Sequence, residues 1–180
     1  MYIPEYFKED DSEKITALVR NNPFGTLISV KNYIPLISHL PLLYATSHGT
    51  HRKITGHMSK ENEHWEQLIT GEPVTAIFSG PHGYISPSYY SSPGVPTWNY
   101  AVVHFQGRPI IKNEPDEIID ILRQATNCFE SKETGSWGFN IPENKKNLLL
   151  NMIGGFEIDI HKIESKFKLS QNRPDIDQQN

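Results

Sequence analysis

Five short stretches of the sequence concentrate the side chains able to hold a ligand. They are Ser38-His-Leu-Pro41, Gly56-His-Met-Ser-Lys-Glu-Asn62, Gly80-Pro-His-Gly-Tyr-Ile-Ser-Pro-Ser88, Val95-Pro-Thr-Trp-Asn-Tyr100 and Lys168-Leu-Ser-Gln-Asn172. In the first four, proline or glycine interrupts strand-like sequence, and in all five His, Ser, Asn or Lys supplies hydrogen-bond donors. Islands of this kind at strand ends suit a planar, anionic ligand: aromatic rings cover a flat ring system, and a Ser-Lys pair grips a phosphate. Ser59-Lys60 stands just before a helical pattern, whose first amides would add to the attraction for an anion. Taken singly, Pro and Gly mean turns, Trp98 or Tyr84 means core or interface packing, and His39, His57 and His82 are as readily structural histidines. The recurrence of five islands in one small chain shifts the balance toward a pocket.

Other chemistries find little support. There is no glycine-rich dinucleotide or triphosphate fingerprint. Of the eight histidines, the nearest to a ligand pair are His48 and His51, three apart in a polar loop, and solvated loop histidines are the plainer reading. No metal site is expected. There is no nucleophile elbow, and the only cysteine, Cys128, lies on a helical pattern as a small core hydrophobe. No residue announces itself as a catalytic acid or base.

The islands must be carried by strands. Phe24–Val30 and Ile34–Tyr44 are rich in β-branched and aromatic residues around a Lys31-Asn32 turn and read as a hairpin, with Arg52–His57 as a third strand. Val74–Ser79 and Tyr84–Pro87 read as a second hairpin about the Gly80–Gly83 turn, and Asn99–Gly107 as a long strand. Phe156, Ile158 and Ile160 alternate with Glu157, Asp159 and His161 in a last strand with one wet face. Helical spacing covers Ser12–Asn21, capped by Ser12 or Asp11, Glu61–Ile69, capped by Asn62 and stopped at Gly71, Asn113–Phe129, and Pro142–Met152. Six or seven mostly antiparallel strands with a few peripheral helices predict a mainly β chain forming a closed or nearly closed barrel.

Length and charge bound the rest. At 180 residues, with 37% hydrophobic residues, one domain has core enough without staples. We expect it over residues 1–172, with a mobile tail over 173–180. A lone cysteine fits a reducing compartment, and the cytoplasm is the default location. Lys31, Pro35, His39 and Pro41 interrupt the best apolar stretch, so no membrane span is expected. Against 17 Lys and Arg stand 21 Asp and Glu; a formal charge of −4 argues against unaided DNA binding, and no helix-turn-helix is visible.

On its islands the chain resembles the PaiB family, described as FMN-binding negative transcriptional regulators and related to pyridoxamine-phosphate-oxidase-like split barrels. The resemblance runs through Met1-Tyr-Ile-Pro4 with Phe7, Asn22-Pro-Phe24, Ser38-His-Leu-Pro-Leu42, Gly56-His57, Gly80-Pro-His82 with Tyr84-Ile-Ser-Pro87, Pro96-Thr-Trp-Asn-Tyr100, Gly155-Phe-Glu157 and Lys168-Leu-Ser-Gln-Asn172. It implies a six-stranded antiparallel split β-barrel and a homodimer with FMN at the subunit interface. The cofactor-binding residues so implied are Ser38, His39, Leu40, Pro41, Gly56, His57, Met58, Ser59, Lys60, Trp98 and Asn99. Trp98 and Asn99 would complete the site from the other subunit. Met58-Ser-Lys60 is similar to the phosphate grip of those relatives, with Glu61 where a second cation would stand and Arg52 or Lys168 as substitutes. The function implied is an FMN-binding regulator that represses transcription indirectly or in a ligand-dependent way, with DNA only weakly supported as a partner. The alternatives are a flavin-dependent oxidoreductase of small substrates and a haem-binding or haem-degrading barrel using His39, His57 or His161.

Overall fold

A computed structural model describes residues 1–47, 51–91, 93–130 and 137–179. His48 of the spaced histidine pair lies outside the described residues, as do Ser92, most of the 131–139 loop and Asn180. The elements are α1 Ser12–Asn21, β1 Phe24–Lys31, β2 Ile34–Pro41, β3 Leu43–Ser47, β4 His51–Ser59, α2 Glu63–Ile69, β5 Val74–Ile85, β6 Thr97–Lys112, α3 Pro115–Glu130, α4 Glu143–Met152, β7 Ile153–Lys168 and α5 Asp175–Gln179.

The seven strands pair antiparallel in the order β2-β1-β5-β6-β7-β4-β3. The fold is therefore mainly β with peripheral helices, one strand beyond the six of the resemblance. That strand arises where the Ile34–Tyr44 run is cut at Leu42. β2 pairs with β1, β3 pairs with β4, and the Leu42 amide leaves both ladders to donate to Pro23 O at 2.8 Å. A single residue thus links strands at opposite ends of the sheet order, so the sheet must curl until its edges meet.

A second difference concerns the β5 region. No hairpin forms at Gly80–Gly83; β5 runs through it and keeps pairing with β6, with a register shift between Ser79 and His82. Pro81 cannot donate to a ladder, and a bulge accommodates it. The segment expected as a tail carries α5, where Asp177 accepts from the Ser91 amide and hydroxyl, each at 2.7 Å.

Directly opposed residues of an antiparallel pair share a face, so the register sorts the sheet into two surfaces. The row Ser38–Leu27–Ala76–Phe105–Ile163 faces inward, and the adjacent row His39–Thr26–Ile77–His104–Glu164 faces outward. Leu27, Ala76, Phe78, Val103, Phe105, Ile54, Phe156 and Ile158 are fully buried inside, each large side chain contributing roughly 1.5–3 kcal/mol by leaving water. α1 and α2 join this same core through Ile15, Leu18 and Val19 and through Trp65 and Leu68. Asp11 caps α1 by accepting from the Glu13 amide at 2.8 Å, and Asn62 caps α2 by accepting from the His64 amide at 3.0 Å. α3 and α4 stay outside, sharing a separate cluster of Ile118, Ile119 and Leu150 packed with Ile153. They lie over the β4–β7 side, where a Cβ on Gly155 would stand 2.7 Å from Ile121 Cδ1.

Candidate functional site

Barrel closure brings two of the predicted islands together although they are some twenty residues apart in the chain. Ser38 Oγ lies 2.9 Å from His64 Nδ1 and accepts from Asn62 Nδ2 at 3.3 Å. Since Asn62 donates to that hydroxyl, Ser38 is free to donate its own proton to the ring. This fits a neutral His64 with the proton on Nε2, and burial pushes the His64 pKa below the usual imidazole value. His64 is only 2% exposed, and its Nε2 is buried with no hydrogen-bond partner. In the following turn Ser59 Oγ accepts from the Glu61 amide at 3.2 Å and the Lys60 amide donates to Met152 O at 2.9 Å. The Lys60 ammonium forms no ion pair among the described residues.

The remaining expected residues of these islands divide by strand parity. His39 points outward, with Nδ1 3.0 Å from Thr26 Oγ1 and its ring stacked on Phe24 at 6.5 Å between centroids. Leu40 and Met58 face inward and belong to the core. Gly56 also faces the core: a Cβ there would stand 2.7 Å from both Leu42 Cδ2 and Phe156 Cζ, so it is the close packing of the barrel that needs glycine. His57 lies opposite Gly155 on the helix-covered side, and burial lowers its pKa. Pro41 is exposed at the end of β2.

The other three islands meet elsewhere. Trp98 is 54% exposed and meets His82 and Tyr84 with centroids 6.3 and 6.1 Å apart. Lys168 Nζ donates to Trp98 O at 2.7 Å and to Thr97 Oγ1. Asn99 points to the other side and exchanges hydrogen bonds with Ser170 Oγ at 2.9 and 3.1 Å, holding the turn where Ser170 has φ +69°. Ser59 pairs with Ile153 and Tyr100 with Lys168, the two ends of β7. At ~3.3 Å per residue those ends are roughly 50 Å apart along the strand. Within one chain the structure therefore ties Ser38 to the Ser59–Asn62 turn through Asn62, sets His39 on the opposite face of β2, and holds Trp98 and Asn99 at the other end of β7.

Sequence reading missed His64, Thr26 and Lys166. The cap position of Asn62 was visible, but which strand α2 would face depends on barrel closure, and no local pattern records it. Two clefts of about 520 Å³ each lie away from these residues. One is polar and includes Glu9, Asp10, Arg52 and His161; the other is apolar, between α1, β3 and α3, and includes Val19, Leu42, Tyr44 and Cys128. Among the described residues no group of three or more His, Cys, Asp or Glu is placed to hold a metal, and no helix is long and apolar enough to cross a membrane.

Comparison with known proteins agrees with this architecture. The chain is 37% identical over 182 residues to the protease synthase and sporulation protein PAI 2 of Bacillus subtilis, covering all of this chain and 86% of that protein. Among solved structures it is similar to the flavocytochrome Anf3 of Azotobacter vinelandii, with a TM-score of 0.71, 16% identity and coverage of 92% of this chain and 72% of that one. It is also similar to a pyridoxamine 5′-phosphate oxidase-type protein of Listeria innocua, with a TM-score of 0.53, 16% identity and coverage of 85% and 95%. At these identities the likeness shows the fold, a split barrel of the pyridoxamine-phosphate-oxidase type. Residues 1–162 match the family described as "Putative FMN-binding domain", and with the similarity to PAI 2 this makes the chain a PaiB-type member of that FMN-binding family.

Proposed function

We propose that two copies of this chain bind FMN between them on the outer face of β2, β1, β5 and β6, with the phosphate end on one copy and ring contacts on the other. The observation that carries this reading is the uncovered face itself. Phe24 and Ile37 are 67% and 57% exposed there, Trp98 and Tyr84 lie at its end, and Ile28, Ile77, Tyr100 and Val102 are half-buried along it. An apolar sheet face of this extent with no helix over it is suited to a partner. On this reading one copy's Trp98 meets its partner's Lys60, the two groups standing at opposite ends of β7 within a chain.

The chain's own groups fit the cofactor. The Lys60 ammonium has all three protons available and the Ser59 hydroxyl retains one, a donor set suited to a phosphate. Trp98 offers a ring face, and His39 stands on the outward side of β2 against Thr26 and Phe24. FMN supplies electron or hydride transfer when bound; the protein supplies orientation and exclusion of water. A cytoplasmic flavoprotein with a formal charge of −4 would repress transcription through a partner or through its ligand state, not by direct hold on DNA.

The test is the absorption spectrum and solution mass of freshly purified protein. The expected outcome is a band near ~450 nm, from bound or added FMN, on a dimer. Lys60→Met should weaken FMN and leave riboflavin unchanged. A monomer that takes up no FMN would sink the reading.

A further inference from the structure

Among the described residues, three cations at and just beyond the C-terminal end of β7 have no carboxylate at ion-pair distance. Lys166 is only 8% exposed, and its Nζ donates to Tyr2 O at 3.1 Å and lies 5.5, 6.0 and 5.4 Å from the ring centres of Tyr2, Phe7 and Tyr100. Lys168, two residues on along the same face, stands 5.7 Å from the same Phe7 ring. Arg173 lies 4.3 Å over the ring of Tyr90. None of the three meets a carboxylate within ion-pair distance among the described residues, whereas Lys8, Lys14, Lys31, Lys53, Lys112 and Lys162 all do. Burial lowers the Lys168 pKa first; Tyr100 opposes this, while the neighbouring charges of Lys166 and Arg173 lower it further. Cations so placed are stabilised by rings and carbonyls only in part, and an anion between them would remove both the repulsion and the desolvation cost.

The ring surface beside them is continuous. His82, Tyr100 and Lys168 form one row across β5, β6 and β7, and Tyr84 and Trp98 form the next. We propose that Lys166, Lys168 and Arg173 form an anion-binding site for a phosphate or carboxylate carried on a flat ring, with Tyr100 and Trp98 as the surface the ring rests on. Two donors present this chemistry: the phosphate of FMN, held here in place of Lys60, or a separate aromatic anion bound next to the flavin. The proposal rests on the flavin reading only for the first of these.

The experiment is calorimetric titration of inorganic phosphate into the full chain at low ionic strength, once flavin-free and once saturated with FMN. Phosphate should bind the flavin-free protein, and Lys168→Met and Arg173→Gln should each weaken it roughly tenfold or more, with Lys168→Arg restoring it. If FMN abolishes phosphate binding and Lys168→Met lowers affinity for FMN but not for riboflavin, the anion is the cofactor's own. If phosphate still binds the FMN-saturated protein, the site serves a separate anion. Failure to take up FMN would sink the flavin reading and leave the first titration standing. Arg173→Gln guards against misfolding, since its side chain makes no hydrogen bond that holds β6 to β7. Absence of phosphate binding to the folded wild type, or equal binding by wild type and both variants, overturns the proposal.

Discussion

The barrel has two outer surfaces, and they are finished differently. Over β4 and the first half of β7 the outward positions are small or charged: Gly155, Glu157, Lys53 and Thr55, with α3 packed across them through Ile121, the ion pair Lys53–Glu157 joining β4 to β7 at 2.5 Å beneath it. Over β2, β1, β5 and β6 the outward positions include Ile37, Ile28, Ile77, Val102 and Tyr100 among polar ones such as Thr26, His39 and His104, and no helix covers them. A glycine under a helix is an answer to a contact within the chain. An isoleucine facing outward in mid-sheet, by contrast, awaits a contact from outside it. On the proposed reading, the difference separates residues that serve the fold from residues that serve assembly and ligand.

The sharpest way to break this contrast is to charge the open face. Ile37→Asp removes an exposed side chain from edge strand β2 and should alter unfolding of the isolated chain by no more than about 0.5 kcal/mol. In a dimer it buries an unpaired carboxylate, so the dissociation constant should rise by a hundredfold or more, about 3 kcal/mol. Sedimentation as a function of concentration measures it; a dimer of unchanged affinity would show that this face is not the interface.

The covered face should respond in the opposite way. Gly155→Val sets a side chain against Ile121 Cδ1 at 2.7 Å and the Lys112 carbonyl at 3.0 Å. The backbone cannot yield as a side-chain tip can, so we expect about 2–3 kcal/mol of destabilisation, a fall in Tm of roughly 5–10 °C, and unchanged flavin affinity per folded molecule. Calorimetric unfolding decides this.

Titration distinguishes the two surfaces less strongly. His57, on the covered side, and His104, in the outward row of the open side, both have pKa values lowered by burial, as does His64 in the core. For His104 the nearby terminal amine adds to burial, and Glu164 opposes both. A histidine whose folded pKa lies below its unfolded one is protonated first in the unfolded chain, so its contribution is complete above about pH 6.5 and is lost as the pH falls below that. Denaturant midpoints should therefore decline from pH 7 to pH 5, and His64→Gln should flatten the decline. A midpoint constant over that range would contradict the burial of these rings.

How much of this was legible in sequence follows the range of the interactions. The helical stripe of Ile15, Leu18 and Val19 and the cap at Asp11 are local, and α1 has the predicted bounds. The break at Leu42 was not legible, because β2 and β3 form one continuous β-rich run whose division depends on which strands lie on either side. The β5 hairpin misread has the same origin: Gly80 and Pro81 look like a turn, but pairing with β6 on both sides of the bulge holds the strand extended. Of the site islands, His39 and Ser38 were visible as residue types, yet that one faces outward and the other toward His64 is decided by strand parity and by closure.

The smallest expected effect belongs to the tip of the β1–β2 hairpin, at the rim of the open face. Asn32 and Tyr33 have φ of +52° and +66°, the left-handed pair of a two-residue turn. Asn tolerates that region, but a tyrosine there is strained by about 1 kcal/mol. Tyr33 is 100% exposed, so nothing within the chain offsets the strain. Tyr33→Gly relieves it and gives back part through the greater freedom of glycine in the unfolded state, leaving a net gain of about 0.5 kcal/mol. If the open face is an interface and Tyr33 reaches across its rim, the same change should raise the stability of the separated chain while weakening the dimer. The two signs, read from denaturation at low and high protein concentration, separate a tip that is merely strained from one whose strain serves a contact.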